Sequence, residues 1–266
     1  VKKSVLAVWN EEAYQLKLDL FTLTELLRTL PDTSLRAMRV AEALDKMTHV
    51  VDLELPWPER VQTFQKGRDC LHEVLACHNG STAPEFRIIG QSHIDLAWLW
   101  PREETYHKVC RTYATQLALM NEYPDYQWLL VEPALLDMLR ERDTELWGRI
   151  KEAVLRGQIK PEGAFYVECD TNIPSGESLI RQLTEGRRWF REVLGIESVV
   201  AWLPDCFGFS AALPQLFSKL GIRYFATQKL LRADPEMETF PWQNFIWEGL
   251  DGSTVEALSF MRDNGP

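Results

Sequence analysis

The octapeptide HIDLAWLW, residues 93–100, sets an imidazole and a carboxylate two positions apart, directly behind the apolar run FRIIG at 86–90. In an extended segment, residues i and i+2 point to the same side, so His93 and Asp95 converge on one point. Nitrogen and oxygen donors on a common face form half of a site for a divalent metal of the zinc type. The competing reading is a His–Asp hydrogen bond that merely closes a loop, and the dipeptide spacing alone does not separate the two.

A third donor stands in AWLPDCFGFS, residues 201–210, where Asp205 follows a strand-like run. Trp202, Leu203 and Phe207 are expected to desolvate it, and a desolvated carboxylate needs a metal, a cation or a proton. The alternative is an ordinary helix N-cap. Together His93, Asp95 and Asp205 supply three metal donors from two strand ends. Trp98 and Trp100 flank Leu99 just beyond the first pair. Trp98 is positioned to offer its face to the apolar side of a sugar ring, while a core role is the reading for most of the ten tryptophans. At the polar stretch DTNIPSGES, 170–178, Glu168 and Asp170 are placed near the site, Asp170 as a candidate supporting residue, with helix capping and turn formation as the alternative. Cys206 lies beside Asp205 without a histidine close in sequence, which argues against a thiol nucleophile. His49, His72, His78 and His107 read as surface residues.

These side chains need elements to hold them. Residues 1–83 read as helical, with apolar residues at spacings of three and four. Turn chemistry in HNGSTAPE, 78–85, marks a boundary, so residues 84–266 form a second region. There the pattern alternates. Strands are expected at 86–90, 126–132, 159–168, 199–205 and 223–228, and helices around 106–120, 134–156, 174–195 and 212–221. A hairpin is expected over 244–260 around Asp251-Gly252. Such alternation predicts an α/β fold with a mainly parallel sheet or barrel, whose active sites lie at the carboxyl ends of strands.

Composition narrows the function classes. The 266 residues are 45% hydrophobic with a formal net charge of −10, and no basic block is present to neutralise phosphates. Nucleic acid and anionic membranes are therefore not expected partners. There is no apolar run of signal-peptide or membrane-spanning length, although a chain beginning at Val1 leaves an upstream targeting segment open. Five cysteines without a CxxC pair fit a reducing compartment, hence a cytoplasmic location. NGS at 79–81 reads as an exposed turn.

The segments GQSHIDLAWLWPREETYHKVCRTYATQLALMNEYPDYQW, DTNIPSGESLIRQLTEGRRWFREVLG, WLPDCFGFSAALPQLFSKLGIRYFATQKL and FIWEGLDGSTV resemble, in collinear order over 86–258, glycoside hydrolase family 38, and most closely its cytosolic-type α-mannosidases. The resemblance implies a seven-stranded β/α barrel, shared distantly with polysaccharide deacetylases, here preceded by the N-terminal helical region. It implies a retaining exo-α-mannosidase acting on mannose-containing oligosaccharides with one divalent metal, usually zinc and in some members cobalt. By the family's motif, His93 and Asp95 are metal ligands, and Asp205 is both ligand and catalytic nucleophile. Trp98 stacks on the sugar, and Lys229 falls on a cationic substrate-site position.

The family's acid/base and a fourth ligand, a histidine, come well after the nucleophile. Only 61 residues follow Asp205 here and no histidine follows His107. The chain therefore reads as an N-terminal fragment with an incomplete barrel, weak in metal binding and inactive on its own; the resemblance further implies a parent able to homo-oligomerise. LVEP at 130–133 departs from the family's Ser-Gln-Pro, Cys169 sits in an unusual context, and EALSFMRDNGP replaces a stretch that usually carries a histidine. Two rivals remain at this level: a non-catalytic sugar-binding or scaffold product, and a metal-dependent deacetylase on a related barrel.

Overall fold

The protein was described from a computed structural model, which describes residues 6–78, 80, 83, 87–232 and 242–260. Asn79, Ser81, Phe86 and residues 261–266, on which parts of the expectations above fall, lie outside the described residues. The chain divides into two compact units, 1–86 and 87–266.

The first unit holds three helices, α1 (Glu11–Thr29), α2 (Leu35–Val50) and α3 (Trp57–Leu75). Asn10 and Ser34 cap α1 and α2 by accepting from the Ala13 and Ala37 N–H groups, which satisfies donors that the first helical turn leaves unpaired. Leu16, Leu23, Val40, Met47, Phe64 and Leu71 form its core, each such burial stabilising by roughly 1.5–3 kcal/mol. Arg68 fastens α3 to α1 through Asp19 at 2.9 Å and Glu12 at 3.1 Å.

The second unit is α/β of barrel type. Strands β1 (Gly90–Gln91), β2 (Trp128–Leu130) and β3 (Ile159–Pro161) pair in parallel. β4 (Val200–Trp202), β5 (Tyr224–Thr227), β6 (Asn244–Glu248) and β7 (Thr254–Ser259) form a second sheet in the order β4-β5-β7-β6, parallel except for β6. A parallel bridge between Gly163 and Ala201 joins the two sheets. Helices connect the strands: α4 (Arg102–Glu122), α5 (Pro133–Arg142), α6 (Thr144–Leu155), α7 (Gly176–Leu194) and α8 (Leu213–Lys219). A 3-10 turn, Lys229–Arg232, follows β5.

Helix α7 shows how sequence sets position. Ser175 caps it and Gly195, at φ 70°, ends it in the left-handed region that suits glycine. Leu179, Leu183 and Phe190 bury one face. On that face Gly186 lies against the backbone of 164–166, where even a methyl group has no room. The Gln182 carbonyl and side chain accept from the Tyr166 and Val167 N–H groups at 3.0 and 3.1 Å. The helix thereby fixes the chain that runs from β3 toward residue 168.

The structure corrects several sequence expectations. Among the described residues of the run 86–90, only Gly90 belongs to β1, and Ile88 and Ile89 are exposed rather than buried. They border an open cleft of about 1120 Å³, whose far side carries Trp202, Tyr224, Leu258 and Phe260. Helix 134–156 is two helices, because Asp143 breaks the first and caps the second through the Leu146 N–H. The extended stretch 159–168 pairs as a strand only to Pro161. The hairpin forms where expected, and β7 additionally pairs in parallel with β5.

Candidate functional site

Five consecutive strands send a polar side chain to the same edge. His93 and Asp95 follow β1, Glu132 follows β2, Glu168 follows β3, Asp205 follows β4 and Lys229 follows β5. This is the carboxyl edge of a parallel array, where loops are free to carry chemistry while the strands stay paired.

His93 and Asp95 do turn to one side: the ring Nε2 lies 3.3 Å from Asp95 Oδ1 and 3.8 Å from Asp205 Oδ2. One ligand atom from each of His93, Asp95 and Asp205 can be chosen so that all three lie within 4.8 Å of one another. One nitrogen and two carboxylates match the donor set that zinc accepts, with coordination left over for a substrate or water. Zinc fits on geometry as well, because the other ring nitrogen is already committed: His93 Nδ1 lies 2.9 Å from Glu168 Oε2. An imidazole held this way directs Nε2 at the site.

Asp205 is not desolvated as its neighbours in sequence suggest. Its side chain is 35% exposed and Phe207 is 77% exposed. Nor does it cap a helix, since none starts after it before α8. Its charge is met by Lys229, whose Nζ forms an ion pair with Asp205 Oδ1 and lies 5.5 Å from the Phe207 ring centroid. Trp98 is 55% exposed, on a loop pinned by Trp100. The Trp100 Nε1–H donates to Thr105 Oγ1, and the Thr105 hydroxyl donates to the Leu96 carbonyl. Asp170 is engaged within its own loop, accepting from the Asn172 and Ile173 N–H groups at 2.7 and 3.1 Å. The carboxylate that reaches His93 from this loop is Glu168.

Glu132 escaped the sequence reading, and Glu168, expected near the site, was given no role there. The Glu168 side chain is 8% exposed, and besides His93 it accepts from the Asp205 N–H. Glu132 is buried, and its Oε1 accepts from the Glu168 N–H at 2.9 Å. Burial pushes the Glu132 carboxyl up to about 7; the bond from the Glu168 N–H opposes the rise and the Glu168 charge adds to it. The hydrogen bond with Glu168 pushes His93 up to about 9 against the effect of burial. Burial pushes the Cys206 thiol up, so it is no thiolate nucleophile; its Sγ donates to the Cys169 carbonyl at 3.0 Å. A signal for Glu132 and Glu168 was present: each is a lone carboxylate at the end of an apolar run, WLLV and AFYV.

A parallel β/α array with a histidine and carboxylates gathered at its carboxyl edge has the layout of an enzyme domain of the β/α barrel class. Residues 84–264 match the model of the glycosyl hydrolases family 38 N-terminal domain, and the chain belongs to this family. It is 35% identical over 255 residues to human alpha-mannosidase 2C1, covering 96% of this chain and 24% of that protein. It is 37% identical to alpha-mannosidase G of Dictyostelium discoideum, covering 95% of this chain and 23% of that protein. The chain thus spans about a quarter of the length of these curated relatives. Among solved structures, an alpha-mannosidase from Enterococcus faecalis V583 shares the fold with a TM-score of 0.58 at 24% identity, over 65% of this chain and 19% of that one. Among the described residues no helix is long and apolar enough to cross a membrane.

Proposed function

We propose that the chain carries the nucleophile and three metal ligands of a retaining exo-α-mannosidase that removes terminal α-linked mannose from oligosaccharides. The observation that carries this reading is the convergence of His93, Asp95 and Asp205 at the ends of β1 and β4. His93, Asp95 and Asp205 would hold one divalent ion, zinc by its donor set, with cobalt as a substitute. Such an ion supplies Lewis-acid binding of sugar hydroxyls.

The chain's own residues do the rest. Lys229 pairs with the Asp205 carboxylate and so holds it in place. The Glu168 contact to the Asp205 N–H fixes the backbone from which that carboxylate projects. Asp205 attacks the anomeric carbon, forming a glycosyl–enzyme bond as the leaving oxygen departs, and water then hydrolyses that bond with net retention. Trp98, exposed on the loop that follows Asp95, offers the stacking face for the sugar. A retaining route needs a second carboxyl group about 5–5.5 Å from the first. Asp95 and Glu168 both contact His93, so neither is assigned that role.

The relatives' names support mannose as the substrate sugar, and the five free thiols support work in the cytoplasm. The test is turnover of an aryl α-mannoside by the whole protein with Asp205→Asn, with product anomers followed by proton NMR. The reading expects α-mannose as first product and loss of turnover in the variant. A variant with undiminished turnover, or release of acetate from acetylated sugars in place of mannose, overturns it.

A further inference from the structure

One carboxylate touches both halves of the site without being offered to a ligand. Glu168 Oε2 faces His93 Nδ1 at 2.9 Å, and its Oε1 accepts from the Asp205 N–H. His93 and Asp205 lie on loops after β1 and β4, in two sheets that a single parallel bridge joins. Glu168 is therefore a direct side-chain tie between the two strand ends.

Glu168 is itself held from behind. Its N–H donates to Glu132 Oε1 at 2.9 Å. Glu132 adopts φ 61°, ψ 81°, the left-handed region, immediately before Pro133. A non-glycine residue there is strained and persists where the surroundings impose it. Glu132 occupies the N-cap position of α5, yet its side chain makes no capping bond to that helix. Its carboxylate is turned instead to the Glu168 backbone, so the strained conformation coincides with support of the site.

We propose that Glu168 is the positioning residue of this site: braced by Glu132, its one carboxylate aligns the His93 ring and the Asp205 backbone so that Nε2, Asp95 and Asp205 face a common point. Resting on the metal-site reading above, the chemistry is that of an outer carboxylate. Accepting from Nδ1–H fixes the ring's orientation and leaves Nε2 as the donor toward a cation.

The experiment uses the 266-residue chain, with Glu168→Gln, Glu168→Asp and Glu132→Gln variants. Zinc affinity is read by competition with a chromophoric chelator, and the His93 Nδ1–H proton by low-field NMR in metal-free protein, assigned with His93→Gln. Glu168→Gln is expected to weaken zinc binding about 10- to 100-fold and to speed exchange of the Nδ1–H proton. Glu168→Asp is expected to recover part of the affinity, and Glu132→Gln, which keeps an acceptor oxygen, to stay within a few-fold of wild type. A wild-type His93 ring without a protected Nδ1–H proton overturns the proposal even if no variant folds. So does Glu168→Gln with wild-type affinity and wild-type exchange. If the wild-type chain takes up no zinc, the metal-site reading fails, and the Nδ1–H proton alone decides whether Glu168 orients the ring.

Discussion

Replacing Gly186 by alanine sets two effects against each other. Alanine is favoured over glycine in a helix interior by about 1 kcal/mol, and Gly186 sits mid-way along α7. Were the position open, the substitution would stabilise. A Cβ built at Gly186, however, lies 2.5 Å from the Tyr166 nitrogen, and closer still to the Ala164 oxygen and the Phe165 carbonyl carbon. All three are backbone atoms, so no side-chain rotation relieves the overlap, and the helix must withdraw from the strand-end loop. Overpacking of this kind costs about 1–3 kcal/mol or more, and the Gln182 bonds to Tyr166 and Val167 are lost with it. With about 1 kcal/mol for each lost bond, the expected outcome is a net destabilisation of about 2–4 kcal/mol. At a slope of about 2–4 °C per kcal/mol for a domain of this size, the melting temperature falls by about 4–16 °C. Urea unfolding followed by circular dichroism measures it directly. Because 164–167 lead to Glu168, zinc affinity is expected to fall in the same variant. A Gly186→Ala protein as stable as wild type, or more so, refutes the claim that α7 seats on this backbone.

Glu132 gives a pH signature. Its folded carboxyl lies at about 7 against an ordinary 4.5, so the native state holds the proton more tightly than the unfolded chain does. Stability therefore falls as pH rises from 4.5 to 7 and stays lowered above 7, by roughly 3 kcal/mol at most. Glu132→Gln is expected to flatten that slope in metal-free protein, read as urea midpoints at pH 5 and pH 8; an unchanged slope contradicts it. Ser175→Ala removes the cap that accepts from the Ser178 N–H and is expected to cost about 1 kcal/mol, seen as a lower urea midpoint at unchanged slope. Tyr126→Phe deletes the hydroxyl that donates to Gln116 Oε1 at 2.6 Å; about 1 kcal/mol of stability is expected to go, with zinc affinity unmoved, since Gln116 reaches Ser92 and not the three donors.

Parts of this structure were legible because their causes are local. Ser175, the spacing of Leu179, Leu183 and Phe190, and Gly195 specify α7 within one segment, and Asp251-Gly252 specifies the β6–β7 turn. The His93–Asp95 pairing follows from i,i+2 geometry. What was hidden depends on partners far away in sequence. Ile88 and Ile89 look like core residues, but burial needs a facing surface, and here they border the cleft. Asp205 was expected to be desolvated by its sequence neighbours, whereas Phe207 points to solvent and the compensating charge comes from Lys229. The roles of Glu168, placed near the site from the sequence, and of Glu132 emerge only where β2, β3 and β4 bring them to one edge, and no local pattern signals the left-handed backbone before Pro133.

The most direct test of the central claim, that His93, Asp95 and Asp205 form one metal site, is calorimetric titration of the 266-residue chain with zinc, beside His93→Ala and Asp205→Asn. The account expects uptake of one equivalent by the wild type and loss of that uptake in both variants. Wild-type uptake that survives both substitutions, or no stoichiometric uptake by the wild type, contradicts it.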